Sequence, residues 1–437
     1  MRSLRAMKSP RRAVDRRSNF TIPYAWAAVA YLWGAFFLNQ ADRQVLPGVL
    51  PLVAAEFGLN PGQLGLVNSC FHWVYAVMVP VAGWLGDRFN RKHVVVLAIL
   101  GWSLMTGLTG LTGGFLSLVI LRAATGAGEA CYLPAATSLI VDLHGEKRAG
   151  FAISLHQSAN YVGVALAGAI AGWVGEHYGW RVPFLGFGLL GLGLAGILGW
   201  RLAEAPSRGT GVIRAARAPL LKQLSGICAT PSFYWVVAAF IGMLLANTAY
   251  LAWMPTLLHQ RFGLSLGAAG LHAALYHQVG AILGVLLGGK LSDGWTRRTC
   301  FGRPLTQMIG LVLGAPFIVV LGLSGERWIV YAALGIFGVF RGLYDSNLFT
   351  TLFLIVPAPV RSLATGCLLA LGFFGGGFAP WIVGLLSASL GLGPALACSA
   401  LGYVIGALCL GAACLTTFRG DVRNATESTL ATREADA

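Results

Sequence analysis

The segment at residues 83–92, GWLGDRFNRK, recurs 206 residues later in a degenerate form, GKLSDGWTRR at residues 289–298. Gly, Leu, Asp and two terminal basic residues occupy the same positions in both copies. A repeat at this distance in a chain of 437 residues predicts two homologous halves.

The composition on either side of the repeat indicates a membrane protein. Hydrophobic residues make up 56% of the chain and charged residues 11%, against about 25% charged in an ordinary soluble domain. Stretches of about 20 apolar residues can span a bilayer as helices. The sequence predicts twelve of them, at 22–53, 62–86, 93–112, 116–141, 149–174, 182–201, 232–258, 267–291, 304–324, 328–356, 363–388 and 394–418.

The net charge of +15 is distributed unevenly between the two sides of the predicted membrane. If the N-terminus lies in the cytoplasm, 25 of the 31 Lys and Arg residues fall on that side. This asymmetry predicts that both termini are cytoplasmic. Because no basic stretch is interleaved with aromatic residues, we expect no nucleic-acid binding.

The predicted spans divide six and six around the longest polar interruption. We expect a basic cytoplasmic tail at 1–20, an N-terminal six-helix bundle at 21–201 and a cytoplasmic linker at 202–230. A C-terminal six-helix bundle at 231–418 and a cytoplasmic tail at 419–437 follow. The apolar run after the basic tail is longer than a signal peptide, so it is predicted to be a retained first helix.

Several segments resemble known families. The loop at 83–92 and its second copy resemble the major facilitator superfamily of transporters, and the twelve spans extend the resemblance over nearly the whole chain. Within that superfamily, NQADR at 39–43, GEACY at 128–132 and TSLIVDL at 137–143 are most similar to the Spinster-like branch. Anion/cation symporters are the second choice, since they share the span-one and span-four motifs. The implied fold is all-α, with two pseudo-symmetric six-helix bundles.

Six charged residues lie in the interior of the predicted spans, away from the span ends. Each costs on the order of 2.5 to 3.5 kcal/mol at mid-bilayer unless it is paired or hydrated. The set contains three acids and three bases, which are Asp42, Glu129 and Asp345, and Arg43, Arg122 and Arg341. Such a balance suits a polar cavity between two bundles; a structural ion pair that locks the halves together is the alternative.

The resemblance implies that Asp42 and Glu129 carry protons. Arg122 is the best candidate for an anionic substrate group, since a guanidinium stays charged and binds carboxylate or phosphate bidentately; the alternative is a partner that only tunes Glu129. Arg43 is a further substrate or charge partner. Arg341 and Asp345 are four residues apart on span ten, a spacing at which the two side chains can bond to each other. They either bind substrate or control gating, or form an ion pair with each other alone.

Two further groups of residues are candidates, the first for gating and the second, a weaker one, for the site itself. The repeated loops are predicted to control gating through charges near helix ends, and the residues concerned are Gly83, Asp87, Arg88, Arg91, Lys92, Asp293 and Arg297. Polar side chains on spans five and ten extend the candidate site, namely His156, Asn160, Tyr344 and Asn347. The eight cysteines are scattered singly, so we expect no metal site.

Together these features predict a proton-coupled secondary transporter that works by alternating access and is an integral membrane protein, located in the cytoplasmic (inner) membrane if the source is bacterial. By resemblance the substrate is anionic or amphiphilic, of lysolipid or sphingoid type; an organic-anion or sugar-acid symporter is the alternative. A polytopic membrane enzyme acting on lipids is disfavoured, because no catalytic constellation is evident. We expect no cofactor besides the proton gradient, a lipid bilayer as surroundings, and a monomer.

Overall fold

The computed structural model of the chain describes residues 22–203 and 220–435, and in these ranges the secondary structure is helical, without strands. The predicted tail at 1–20 and the centre of the predicted linker, 204–219, lie outside the described residues. The helices are α1 Ile22–Phe57, α2 Pro61–Arg88, α3 Arg91–Thr109, α4 Phe115–Ala130, α5 Tyr132–Tyr178, α6 Arg181–Arg201, α7 Leu220–Cys228, α8 Pro231–Phe262, α9 Leu266–Thr296, α10 Gly302–Leu323, α11 Arg327–Asp345, α12 Leu348–Ile355, α13 Arg361–Gly376, α14 Ala379–Leu390, α15 Leu392–Ala397, α16 Ala400–Thr416 and α17 Phe418–Ala435.

The predicted all-α membrane fold is confirmed. Eleven spans in the described part of the chain are long and apolar enough to cross a bilayer. The first predicted span, α1, is not among the eleven; it carries Asn39, Gln40, Asp42 and Arg43 near its middle, and these side chains lower its hydropathy. The fourth and fifth spans are Phe115–His144 and Arg148–Tyr178, close to the predicted boundaries of 116–141 and 149–174.

Two spans that the sequence predicts as continuous helices are broken beside their charged residues. The fourth span breaks at Cys131, two residues after Glu129, and the tenth breaks between Asp345 and Leu348. The eleventh span breaks at Gly377 and Phe378, where Pro380 in the first turn of α14 has no N–H to continue the preceding helix. The breaks in the fourth and tenth spans thus occupy corresponding places in the two halves, beside the charged residues.

Helix ends are set by ordinary capping residues. Asn60 caps α2, accepting a hydrogen bond from the Gln63 N–H while the Gln63 side chain accepts one from the Asn60 N–H. Within the repeated loop, Asn90 caps α3 by accepting a hydrogen bond from the Lys92 N–H. Helix α8 ends at Gly263, whose φ of 62° favours glycine. These caps place the turns that separate successive spans.

The chain crosses back and forth, so its loops lie on two sides. We call the side that carries residues 22 and 435 the terminal side, and the opposite side, with the turns after α1, α3, α5, α8, α10 and α14, the far side. At the terminal side the tail helix α17 packs under the C-terminal half: Phe418 is buried, and the Ser232 N–H at the start of α8 donates to Asp421 Oδ2 at 2.9 Å.

The two halves meet in close contact towards the far side. Near the start of α2, the Trp381 N–H of α14 donates to Ser69 Oγ at 3.1 Å. Gly172 of α5 lies so close to α9 that a Cβ there would be 2.9 Å from the Gly267 nitrogen. Beside it, the Leu266 N–H, at the first turn of α9, donates to Glu176 Oε2 of α5 at 3.1 Å. A carboxylate at a helix N-terminus is favoured by the helix dipole, so this bond ties the far ends of the halves together.

A second far-side acid has partners within its own half. The exposed Glu56 carboxylate, at the end of α1, accepts hydrogen bonds from Arg181 Nη1 and Trp180 Nε1, both at 2.6 Å. The bond from Arg181 and that from Trp180 hold the pKa of Glu56 below its usual value. Glu56 therefore resembles Glu176 in position but does not join the two halves.

We predict that Glu176→Ala loosens the far-side contact between the halves. Loss of a charge-assisted bond is expected to speed amide exchange in the first turn of α9 by about tenfold, which hydrogen–deuterium exchange of residues 266–269 measures. Glu56→Ala is the matched control and is expected to leave that segment unchanged. Equal exchange in the wild type and Glu176→Ala would contradict the assignment of this bond.

Candidate functional site

The centre of the N-terminal half contains an ion pair between its first and fourth spans. Arg43 Nε of α1 lies 2.6 Å from Glu129 Oε2 of α4. The Glu129 side chain is 0% exposed, whereas that of Arg43 is 16% exposed. Glu129 is therefore sealed inside the bundle, whereas part of the Arg43 side chain is solvent-accessible.

Asp42 and Arg122 lie beside this pair. Arg122 Nη1 donates to the backbone carbonyl of Asp42 at 3.5 Å, and Thr106 Oγ1 donates to Asp42 Oδ2 at 3.2 Å. The seven-residue spacing of Arg122 and Glu129 on one helix favours a shared face, yet Glu129 bonds to Arg43 instead. Spacing along a helix gives the direction of a side chain but does not identify its partner on a neighbouring helix.

Aromatic rings of α2 hold both arginines. The Phe71 ring centroid lies 5.2 Å from Arg43 Cζ and 4.9 Å from Arg122 Cζ, so one ring contacts both guanidinium groups. The Tyr75 centroid lies 4.7 Å from Arg43 Cζ. Cation–π contacts of this kind contribute about 0.5 to 2 kcal/mol each. Phe373 of the C-terminal half packs edge-on against Tyr75 at 5.1 Å, which brings the other bundle to the edge of the site.

Two glycines determine how closely α4 approaches its neighbours. A Cβ on Gly126 would lie 2.5 Å from the Phe71 carbonyl oxygen, and one on Gly128 would lie 2.9 Å from the Trp102 nitrogen. Any larger residue would push α4 away from α2 or α3. The close approach packs α4, which carries Glu129, directly against α2 and α3, and the two glycines between Arg122 and Glu129 are the sequence signal for it.

Several polar atoms of the charged cluster have no hydrogen-bond partner among the described residues. They are Arg122 Nε, Asp42 Oδ1 and Glu129 Oε1, all buried. A buried polar atom without a partner carries a free-energy cost of about 1 to 3 kcal/mol, and more when it is charged. The cluster is therefore suited to take up a proton or an external polar group.

The C-terminal half carries its own ion pair on the tenth span. Arg341 Nε lies 3.2 Å from Asp345 Oδ2, and the side chains are 18% and 28% exposed. Asp345 is nine residues from the outward-facing Ile336, which places it on the opposite face of α11. Tyr161 of α5 is close enough to interact electrostatically with both charges from the other half. The pair thus faces the space between the bundles.

The weaker candidates occupy different environments. His156 is fully buried, 3.1 Å from the Tyr132 hydroxyl and stacked on Phe36 at 4.8 Å, so its contacts are those of packing within the N-terminal half. Asn160 is half-buried. Tyr344 is fully buried, and Asn347 donates to Leu343 O at 3.3 Å at the break of the tenth span.

The predicted gating residues lie at the terminal side. Arg91 forms an ion pair with Asp142 and donates to the Ser138 carbonyl at 3.3 Å, which joins α3 to the fourth span. In the other half, Asp293 lies 3.5 Å from Arg303. These ion pairs stay within one half each. Of the rest, Gly83 is half-buried on α2, Arg88 packs on Trp84, Lys92 is the second residue of α3, Arg297 is exposed, and the side chain of Asp87 lies outside the described residues.

The fold and the site define a class of protein. Two helical bundles in a membrane, in contact on one side, enclose buried charges at their interface, and no group of metal-binding side chains occurs among the described residues. Residues 32–301 match the model of the Major Facilitator Superfamily, which covers more than half of the chain. The chain belongs to this superfamily, and it is a membrane transporter rather than an enzyme.

Curated relatives point to two branches of the superfamily. The chain is 29% identical over 310 residues to the "Probable sulfoacetate transporter SauU" of Cupriavidus necator, covering 67% of this chain and 71% of that protein. It is 26% identical over 392 residues to the "D-galactonate transporter" of Escherichia coli, covering 84% and 90%. "Protein spinster homolog 1" of Xenopus laevis is 29% identical over 308 residues, covering 64% of this chain and 57% of that protein.

A solved structure has the same fold. The crystal structure of a bacterial homologue of the human lysosomal transporter Spinster, inward-facing and unoccupied, aligns with a TM-score of 0.81 at 23% identity. The alignment covers 92% of this chain and 99% of that one. The family model thus confirms the resemblance to the major facilitator superfamily, the solved structure shows the same fold, and the relatives include a Spinster homologue as well as transporters of a sugar acid and of an organic anion.

We predict that Arg43→Gln lowers the stability of the protein, because it leaves Glu129 as an uncompensated buried charge. Breaking a buried pair from one side costs about 3 to 5 kcal/mol. The double variant Arg43→Gln/Glu129→Gln is expected to recover part of that loss. Thermal unfolding in detergent measures both.

The matched control is Arg423→Gln, since Arg423 forms an exposed pair with Glu427 on α17. Its effect is expected to stay within about 0.5 kcal/mol. Additive losses in the double variant would show that Arg43 and Glu129 do not act as a pair.

Proposed function

We propose that this transporter moves a small organic anion together with protons, by alternating access, across the cytoplasmic membrane. The observation that carries the proposal is the Arg43–Glu129 pair, in which a sealed carboxylate holds a partly exposed guanidinium. Such a pair allows proton binding and anion binding to depend on one another.

Charge balance supplies the first step of the mechanism. Asp42, Arg43, Arg122 and Glu129 sum to zero when all four are ionised. A proton on Glu129 removes its negative charge, which leaves the cluster with one net positive charge and frees the Arg43 guanidinium. In a site of low dielectric that excess charge attracts an anion far more strongly than it would in water. Proton and anion therefore bind together.

Exposure decides which arginine contacts the substrate in this proposal. The side chain of Arg43 is 16% exposed. The whole Arg122 residue is only 3% exposed, and its guanidinium is covered by the Phe71 ring. We assign the anionic group of the substrate to Arg43, whose planar guanidinium can bind a carboxylate or sulfonate through two N–H groups. Arg122 balances Asp42 and contributes to the positive field. Asp42, hydrogen-bonded to Thr106, is the second proton carrier.

The contacts between the bundles suggest how the site changes access. The described structure is closed towards the far side, where Glu176 and Ser69 accept bonds from the other half. Because the basic loops lie on the terminal side, we assign that side to the cytoplasm, with both termini there. Release of the far-side contacts would open the site to the outside, while Arg341 and Asp345 with the terminal-side loops would close the cytoplasmic entrance. We propose that one chain does this alone, as a monomer.

The relatives guide the class of substrate. The printed names of two of them concern sulfoacetate and D-galactonate, both small organic anions, and a guanidinium at Arg43 suits either. The amphiphilic, lysolipid-like substrate is the second candidate, favoured by the similarity to Protein spinster homolog 1. We prefer the small organic anion for two reasons. The charged cluster in the N-terminal half is compact. The aromatic rings that cover this cluster, those of Phe71, Tyr75 and Phe373, form a continuous layer across the two bundles.

We predict that Glu129→Gln and Asp42→Asn abolish accumulation driven by a pH gradient. In proteoliposomes with the wild type, D-galactonate or sulfoacetate is expected to accumulate when an inward proton gradient is imposed. A carboxylate that can no longer change its charge cannot couple the gradient to the anion, so each variant should at most equilibrate the substrate.

The control is Glu427→Gln, an exposed acid on α17, which is expected to accumulate substrate like the wild type. Gradient-driven accumulation by both Glu129→Gln and Asp42→Asn at the wild-type level would refute proton coupling through these residues. Accumulation of lysolipid, with no transport of either acid, would favour the second candidate.

A further inference from the structure

Phe373 of α13 lies between the two halves, at the edge of the charged cluster. Its ring packs edge-on against Tyr75 of α2, with the centroids 5.1 Å apart, and lies nearly parallel to the His72 ring at 6.3 Å. On its other side it meets Phe240 of α8, in its own half, at 6.4 Å. Phe373 therefore contacts one helix from each half.

Tyr75 connects Phe373 to the ion pair. The Arg43 guanidinium lies on the Tyr75 ring, with Cζ 4.7 Å from the ring centroid, and Arg43 Nε lies 2.6 Å from Glu129 Oε2. The Tyr75 ring is packed by Phe71 of its own helix at 6.0 Å and by Phe373 of the other half. The contacts thus form a continuous series from α13 through α2 to α1 and α4.

A small hydrophobic cluster beside the pair shows where the C-terminal half enters this series. The cluster consists of Phe71, Tyr75 and Ala130, and Ala130 directly follows Glu129 in α4. In the described part of the chain, the partly buried apolar residues packed against it are Met78, Val79 and Phe373. The first two belong to α2, so the C-terminal half reaches the cluster through Phe373.

The end of α13 is bonded to its own half. Helix α13 ends at Gly376, three residues after Phe373. Pro380 has no N–H, so the Gly376 carbonyl, four residues earlier, lacks its usual helical donor. Thr248 Oγ1 of α8 donates to this carbonyl instead, at 2.7 Å. Phe373 is therefore fixed to α8 and moves with the C-terminal half.

Beyond the break, α14 is bonded to the other half. The Trp381 N–H donates to Ser69 Oγ of α2 at 3.1 Å. Gly377, at the break itself, lies so close to α2 that a Cβ there would be 2.8 Å from the His72 Cβ. Since α13 and α14 are held by different halves, a movement between the halves is taken up at the break. Such a movement displaces Phe373 relative to α2.

We propose that Phe373 is a positioning residue that makes the Arg43–Glu129 pair depend on the contact between the halves. The inference rests on the proposed function, in which Glu129 carries a proton and Arg43 binds the anion. With Phe373 packed against Tyr75, the guanidinium is held on the Glu129 carboxylate. Withdrawal of Phe373 loosens Tyr75 and lets Arg43 leave the carboxylate. The carboxylate then binds a proton, and the guanidinium binds the anion.

Other charged and titratable groups face the pair from three helices. Besides Tyr75, they are Asp42 on α1, Arg122 on α4 and His72 on α2. The side chain of Phe373 is uncharged, so its substitution leaves all of these groups in place. A change in proton binding by a Phe373 variant therefore reports the position of Arg43.

The first test measures D-galactonate binding to the full chain in detergent, with Kd from isothermal titration and proton uptake from a pH indicator. Phe373→Ala is expected to bind the anion at least as tightly as the wild type, because Arg43 is held less firmly. It is expected to take up about twofold fewer protons per anion at neutral pH, because Glu129 is already partly protonated. Lost packing alone would raise Kd or leave the proton number unchanged.

Two further variants serve as controls. Phe373→Tyr keeps the ring and is expected to match the wild type in both readouts. Phe374→Ala removes the neighbouring ring, which is 46% exposed, and is also expected to match the wild type. If Phe373→Ala binds with the wild-type Kd and takes up as many protons per anion as the wild type, the inference is overturned.

A second test does not depend on anion binding. Phe373→Ala is introduced into the wild type and into Arg43→Gln/Glu129→Gln, and thermal unfolding is measured in detergent. The drop in Tm is expected to be about 2 °C smaller in the double variant, because the pair that Phe373 positions is already absent. Equal drops in the two backgrounds overturn the inference. Unequal drops, in a wild type that binds D-galactonate without proton uptake, would refute the proposed proton coupling and support the positioning role.

Discussion

A buried carboxylate in a membrane helix needs a counter-charge, and the structure meets this need for Glu129 with an arginine from another helix. Arg43 Nε lies 2.6 Å from Glu129 Oε2, with Glu129 sealed from solvent. Removing either partner leaves an isolated charge in a medium of low dielectric, so α1 and α4 are held at a fixed separation. The same constraint makes the pair sensitive to protonation, since a neutral Glu129 no longer holds Arg43.

Much of the surrounding packing serves this separation. Gly126 and Gly128 let α4 approach α2 and α3, Phe71 covers the two guanidinium groups, and Thr106 bonds to Asp42. Close glycine contacts also occur where the halves meet, at Gly172 and Gly270. In a bilayer, burial of apolar surface does not drive helices together. Close packing at small residues and interhelical hydrogen bonds stabilise helix association instead. The site and the interface are therefore stabilised by the same kinds of contact.

The sequence predicts the fold better than it predicts the partners within the site. Apolar stretches, the repeated loop and the charge asymmetry are properties of the chain itself, so they indicate a two-bundle membrane protein without coordinates. The selection of Asp42, Arg43, Arg122 and Glu129 also follows from the rarity of charge in lipid. Their pairing depends on how helices are rotated against one another, and for that reason the bond between Arg43 and Glu129 could not be read from the spacing of Arg122 and Glu129.

Other features escape sequence reasoning for similar reasons. The breaks at Cys131 and after Asp345 interrupt spans that the sequence predicts as continuous helices. The bond from Glu176 to the first turn of α9 joins residues 90 positions apart. The gating roles of residues in the repeated loops and the domain boundaries stay predictions.

The central claim is that an anion and a proton bind together through the Arg43–Glu129 pair. Proton uptake during anion binding tests it most directly, measured with a pH indicator in weakly buffered detergent solution as D-galactonate or sulfoacetate is added. The account predicts uptake of about one proton per anion bound at neutral pH by the wild type, and none by Glu129→Gln. Saturable anion binding by the wild type without any proton uptake would contradict it.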